Sequence, residues 1–218
     1  MQSKKEDFIR EYKEAIVEWT KVNQQEILIE YENYHWKNRD HDESVRARNE
    51  LERKINLSRK RNVGGLDLAT LDEIYDWGFN SRFPLRDEED VISITKETFR
   101  NAENRDYSNA ARKLMSITGV NISGATKVIG LSDQERLCIY DSRVGHALRS
   151  LRKNDKKVVL CPPDKGFKRD YNHATKDGWA KNYERLIWTI EIIKDYLKEQ
   201  SHLLRIADVE MALFMIGR

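Results

Sequence analysis

Several residues in this chain have types and spacing that could do chemistry together. Asp141 opens the segment Ile139-Tyr140-Asp141-Ser142-Arg143-Val144, at what reads as a helix start. A carboxylate fixed there can stabilise growing positive charge, and can orient or deprotonate a water. It can equally serve as a plain N-cap. Upstream, Ile117-Thr118-Gly119-Val120-Asn121-Ile122-Ser123-Gly124-Ala125 reads as a tight connection between two helices. A helix start offers unpaired amides and a positive dipole end, which suit a phosphate. Gly119 is free to take φ > 0, and Asn121 tolerates the left-handed region better than most residues. Lys127 is the nearby amine: a Schiff-base nucleophile, or a phosphate-facing or solvated lysine. Near the end, Glu210 and Phe214 stand four apart and share a helix face.

The elements that must position these groups read as helical almost throughout. Apolar residues at helical spacing from about Glu6 to Trp36 (Phe8, Tyr12, Ile16, Trp19, Val22, Ile27, Ile29, Tyr31) predict two helices or one long bent one. Lys37 to Arg61 is very polar and helical, and Gly64-Gly65 ends it. Helices are expected over Asp67–Trp77, Asp87–Asn101, Tyr107–Ile117 and Ala125–Ile129, with a loop over Gly78–Pro84. Ser132 with Glu135 predicts a capping box on a short helix. A further helix should run from Asp141 through Leu151. Then comes a loop, Lys153–Lys176, containing Pro162, Pro163, Gly166 and the β-like run Val158-Val159-Leu160. Trp179–Leu197 and Arg205–Ile216 complete the set. The expected class is all-α.

With 218 residues, 39% hydrophobic and 35% charged, the chain can bury a real core. No apolar run reaches the ~18–20 residues that span a bilayer. The opening residues lack the apolar region of a secretory signal, so a cytoplasmic protein is expected. Cys138 and Cys161 can make neither a disulfide framework nor a four-cysteine metal site. The net charge is +2, yet Ser142 to Arg185 holds 12 Lys/Arg against 5 Asp/Glu. Such a segment suits a phosphate-facing surface or a solvated loop.

The Gly119–Gly124 connection, with Asp141 standing 22 positions beyond Gly119, resembles the helix-hairpin-helix DNA glycosylase superfamily. The Asp141 segment is similar to the corresponding stretch of the MutY adenine glycosylases. The ending Ala207-Asp208-Val209-Glu210-Met211-Ala212-Leu213-Phe214 is similar to the last helix of 8-oxoguanine glycosylases. The match is good from about Tyr107 to Leu151, and the first hundred residues match nothing. The resemblance implies a two-lobed helical fold with the site between the lobes. Residues 65–150 would form the hairpin lobe, and 1–64 with 151–218 the other.

It also implies roles. Asp141 would be the catalytic carboxylate. The usual nucleophilic lysine position holds Ser123, as in the MutY group, which implies a monofunctional enzyme that leaves an abasic site. Glu210, Phe214 and Ser123 would line the base pocket, with Phe214 stacking on the base and Glu210 accepting from an exocyclic amine. Gly119, Asn121, Ile122, Gly124, Lys127, Ser142, Arg143 and Arg149 would hold the DNA strand. Phe79, Asn80 or Arg82 would fill the gap left by the flipped base. No cofactor is required, with a monovalent cation at the hairpin carbonyls as an option. The expected partner is double-stranded DNA, bound by a monomer without a membrane. Closest in kind are small prokaryotic proteins with an 8-oxoguanine-glycosylase fold, some acting against phage with modified bases. A bulky modified cytosine is the expected substrate. The rival readings are a bifunctional glycosylase/lyase using Lys127, a non-catalytic hairpin DNA-binding module, and a helical scaffold.

Overall fold

The computed structural model describes residues 2–163, 174–200 and 202–218. Among them are nine α-helices and one two-stranded hairpin. Helix α1 (Gln2–Glu32) is a single unbroken helix rather than two. It buries Phe8, Tyr12, Ile16 and Ile27 but leaves Val22 and Ile29 in solvent. The stripe therefore lies on one side only of an otherwise polar helix.

Helix α2 (His41–Arg61) begins at a capping box, in which Asp40 accepts from the Glu43 amide and Glu43 accepts from the Asp40 amide. Helix α3 (Leu68–Phe79) starts on Asp67 and runs two residues past the expected Trp77, so Gly78 and Phe79 are helical. Helices α4 (Glu88–Glu103) and α5 (Tyr107–Met115) pack on one another and start on Asp87 and Asp106. Helix α6 (Ile122–Gly130) is followed by a turn, not by the expected short helix. Ser132 donates its hydroxyl back to the Ile129 carbonyl instead of capping. Helix α7 (Ser142–Ala147) ends early, in one 3-10 turn at Leu148–Ser150.

Strands β1 (Arg152–Lys153) and β2 (Lys156–Lys157) pair antiparallel. Asn154 and Asp155 both take positive φ between them, as a tight two-residue hairpin turn demands. The expected β-like run 158–160 is no strand. Val158 and Val159 are buried in the core, so their apolar character reflects burial, not sheet pairing. Part of the proline- and glycine-containing loop, 164–173 with Gly166, lies outside the described residues. Helices α8 (Lys176–Glu199) and α9 (Ile206–Ile216) close the fold. The hydrophobic helix α9 is buried between α1, α7 and α8. Buried apolar side chains form one continuous cluster from Phe8 to Met215. Among the described residues, no helix is long and apolar enough to cross a membrane.

Candidate active site

Asp141 is positioned by the extended stretch before it. Tyr140 donates its amide to Thr126 Oγ1 of α6 (2.9 Å), and Thr126 in turn donates to the Ile122 carbonyl. Tyr183 of α8 donates to the Cys138 carbonyl (3.0 Å), and the Ile139 amide reaches Glu210 of α9 (3.4 Å). Three helices thus hold the backbone of residues 138–140. Asp141 then caps α7, its Oδ1 accepting from the Val144 amide at 3.1 Å, while its side chain stays partly open to solvent. A short polar side chain at an N-cap is what a helix start prefers.

The hairpin brings the second group. Gly119 has φ 89° and lies against Pro84. Asn121 does not use the left-handed region: it is extended (φ −95°, ψ 179°) and caps α6 by accepting from the Gly124 amide at 2.9 Å. This is a better reason for asparagine there, since its side chain satisfies an amide that the helix cannot. Ile122 is buried, and the first amides of α6 lack intrahelical acceptors.

Lys127 departs most from expectation. It is neither solvated nor facing a phosphate: only 4% of it is exposed. Its stem lies against Gly78, its Nζ donates to Ser123 Oγ (2.9 Å), and the ammonium sits 4.5 Å from the Phe79 ring centroid. Burial pulls its pKa below the ordinary lysine value. Asp141 and Glu210 act to raise it, Arg48 and Arg143 to lower it further. Lys127 and Asp141 therefore feel each other's charge across the α6–α7 junction. Ser123 holds that amine rather than replacing it.

The pocket residues from α9 are placed differently than expected. Glu210 is neither on the surface nor free to read a base. Its carboxylate is buried and bonded to Arg48 of α2 (2.6 Å). A buried carboxylate needs such a partner. Burial works to strip Arg48 of its charge, but Glu210 and Tyr34 more than offset this and raise its pKa. Phe214 is also buried. Its ring meets Tyr34 and Trp36 edge-on and carries the Arg143 guanidinium at 4.7 Å from its centroid. Of the expected gap-filling residues, Phe79 is 40% exposed yet stacks under Lys127. Asn80 caps α3 in the left-handed region and accepts from Lys37 (2.6 Å), and Arg82 is exposed. Ser142 and Arg143 are partly exposed, and Arg149 is exposed.

The structure thus brings Asp141, Lys127, Ser123, Phe79 and Arg143 to one region. The residues that sequence reasoning missed are Gly78, Arg48, Tyr34 and Trp36. Gly78 opens the loop expected over 78–84, whereas the structure keeps it inside α3, where the missing side chain leaves room for the Lys127 stem. Among the described residues, no group of three or more His, Cys, Asp or Glu side chains is placed to hold a metal ion. Comparison with family models, curated proteins and solved structures returns no match to the chain.

Proposed function

We propose that this chain is a DNA N-glycosylase that takes a damaged or modified base out of the duplex and cuts its bond to the sugar, with Asp141 and Lys127 as its catalytic pair. The observation that carries this reading is the buried Lys127 amine, which comes from the last turn of the hairpin helix and reaches back to Ser123 in its first turn, with Asp141 acting to hold its charge. A desolvated lysine loses its proton more readily and becomes a nucleophile. In the reading, the two lobes set out above meet at this pair. The hairpin amides hold a phosphate, and flipping costs a few kcal/mol that backbone contacts offset.

The chemistry balances. Lys127 Nζ forms a bond to the sugar C1′ as the glycosidic bond breaks, and its electron pair leaves with the base, which takes up a proton. Asp141 stabilises the positive sugar and accepts a proton from the attacking amine. The nitrogen lone pair then forms C=N as the C1′–O4′ bond breaks, and Asp141 returns its proton to O4′, which opens the ring and leaves a protonated imine. To attack, Lys127 must leave Ser123 and Phe79.

A second reading is hydrolysis with water as nucleophile, Asp141 orienting it and leaving an abasic site. The engaged state of Lys127, bonded to Ser123 and stacked on Phe79, favours it. One experiment separates the two. The wild type, Lys127→Met and Asp141→Asn are incubated with duplexes carrying damaged purines or the modified cytosines of phage DNA. Borohydride is then used to trap an imine, and alkali to reveal abasic sites. A trapped adduct lost in Lys127→Met supports the amine mechanism. Alkali-labile sites without an adduct, lost in Asp141→Asn, support hydrolysis. Binding with no base release across the panel supports a non-catalytic hairpin module.

A further inference from the structure

Helix α9 ends directly on α7. Gly217 lies so close that a β-carbon there would overlap the Arg143 carbonyl. This contact sets Arg218 beside Arg143. Both guanidiniums then pack on the same ring, Phe214, at 4.7 and 5.7 Å from its centroid. Arg218 also donates to His35, to the ring Nε2 at 2.7 Å and to the carbonyl at 2.9 Å. The His35 Nδ1 faces the Asn33 carbonyl, so this ring donates from Nδ1 and accepts from Arg218. Among the described residues, no carboxylate lies within ion-pair distance of Arg143, Arg149 or Arg218. Burial and the like charge of Arg143 push the Arg218 pKa down, with Glu30 only partly compensating.

Two guanidiniums held against one ring repel each other, and Glu30 offsets that repulsion only in part. A bridging anion would relieve that repulsion, and phosphate matches the guanidinium fork in shape and charge. Arg218 and His35 are exposed, and Arg143 is partly so, which leaves the pair accessible.

We infer that Arg143 and Arg218, seated on Phe214 and braced by His35, form a phosphate-binding clamp for the nucleic-acid backbone, separate from the hairpin amides. The inference rests on the glycosylase reading for its partner. It places a second phosphate contact of the same strand two residues beyond Asp141, on the junction of α7 with the end of α9.

The test is binding of a labelled undamaged duplex by fluorescence anisotropy between 50 and 200 mM salt, wherever excision stands. Each neutralised phosphate contributes a slope of about −0.9 in log K against log salt. Arg218→Ala should weaken binding about tenfold at low salt and flatten the slope by about one. Arg218→Lys should keep the slope, and Arg53→Ala, on an exposed α2 residue paired with Glu50, should change neither. Melting curves report whether the variants fold. A wild type that binds no duplex overturns the inference, and so does an Arg218→Ala slope equal to the wild type's. If excision depends on Lys127 and Asp141 while Arg218→Ala binds normally, the clamp fails and the glycosylase reading stands. If Arg218→Ala loses slope and no base is ever released, the clamp stands and the glycosylase reading fails.

Discussion

Gly78 of α3 is the surface on which the Lys127 stem lies. A β-carbon at 78 would come within 2.6 Å of Lys127 Cδ and 2.9 Å of Cε. Exchanging glycine for alanine inside a helix ordinarily stabilises by roughly 0.5–1 kcal/mol. Here the added methyl must displace the lysine. Gly78→Ala should therefore bring no gain in melting temperature and should reduce imine trapping or base release at least tenfold. A more stable variant with full activity would mean that this contact does not place the amine.

The proton on Lys127 supplies a pH signature. Its pKa is lowered by burial, against the pull of Asp141 and Glu210. Between the folded value and the usual lysine value of about 10.4, the unfolded chain binds more protons than the folded one. Stability contributed through this group should thus rise with pH across that window. The stability advantage of Lys127→Met over the wild type, measured by urea unfolding, should shrink as the pH rises toward 10. In the amine mechanism, excision should also climb with pH through the folded value.

Phe79 and Ser123 both favour the ammonium, one by its ring face and one by its oxygen. A desolvated cation–π contact is worth up to about 2 kcal/mol. Phe79→Leu and Ser123→Ala should each move the pH–rate limb toward lower pH, by up to about one unit. A limb that stays put in both variants would assign it to another group.

Arg48 and Glu210 form a buried pair, each side chain 2% exposed. Removing one partner strands a buried charge, which costs about 3–5 kcal/mol. Arg48→Met should lose that much in urea unfolding. The double variant Arg48→Met, Glu210→Met should recover most of it, because two apolar chains of similar length replace both charges. A double variant no more stable than the single would point to the loss of the Tyr34 and Gln134 contacts instead.

The sequence by itself determined the all-α class, the helix starts at Asp67, Asp87 and Asp141, and the hairpin around Gly119. These are local: a cap, a break or a stripe depends on a few neighbouring residues. It also brought Lys127 and Asp141 to notice, though not their relationship. The Ser132–Glu135 pattern failed because Ser132 found the Ile129 carbonyl closer than a helix to cap. The apolar run 158–160 failed because burial and strand pairing look alike over three residues.

What only the tertiary structure decided are the meetings across the chain. Glu210 finds Arg48, 162 positions away, and its carboxylate is held in that buried pair. Lys127 becomes buried only because α3 lays Gly78 and Phe79 against it. Arg143 and Arg218 share a ring only because Gly217 lets α9 close on α7. A charged side chain carries no mark in the sequence of whether it will meet water, a partner or a ring. Its desolvation is set by whatever the fold packs around it.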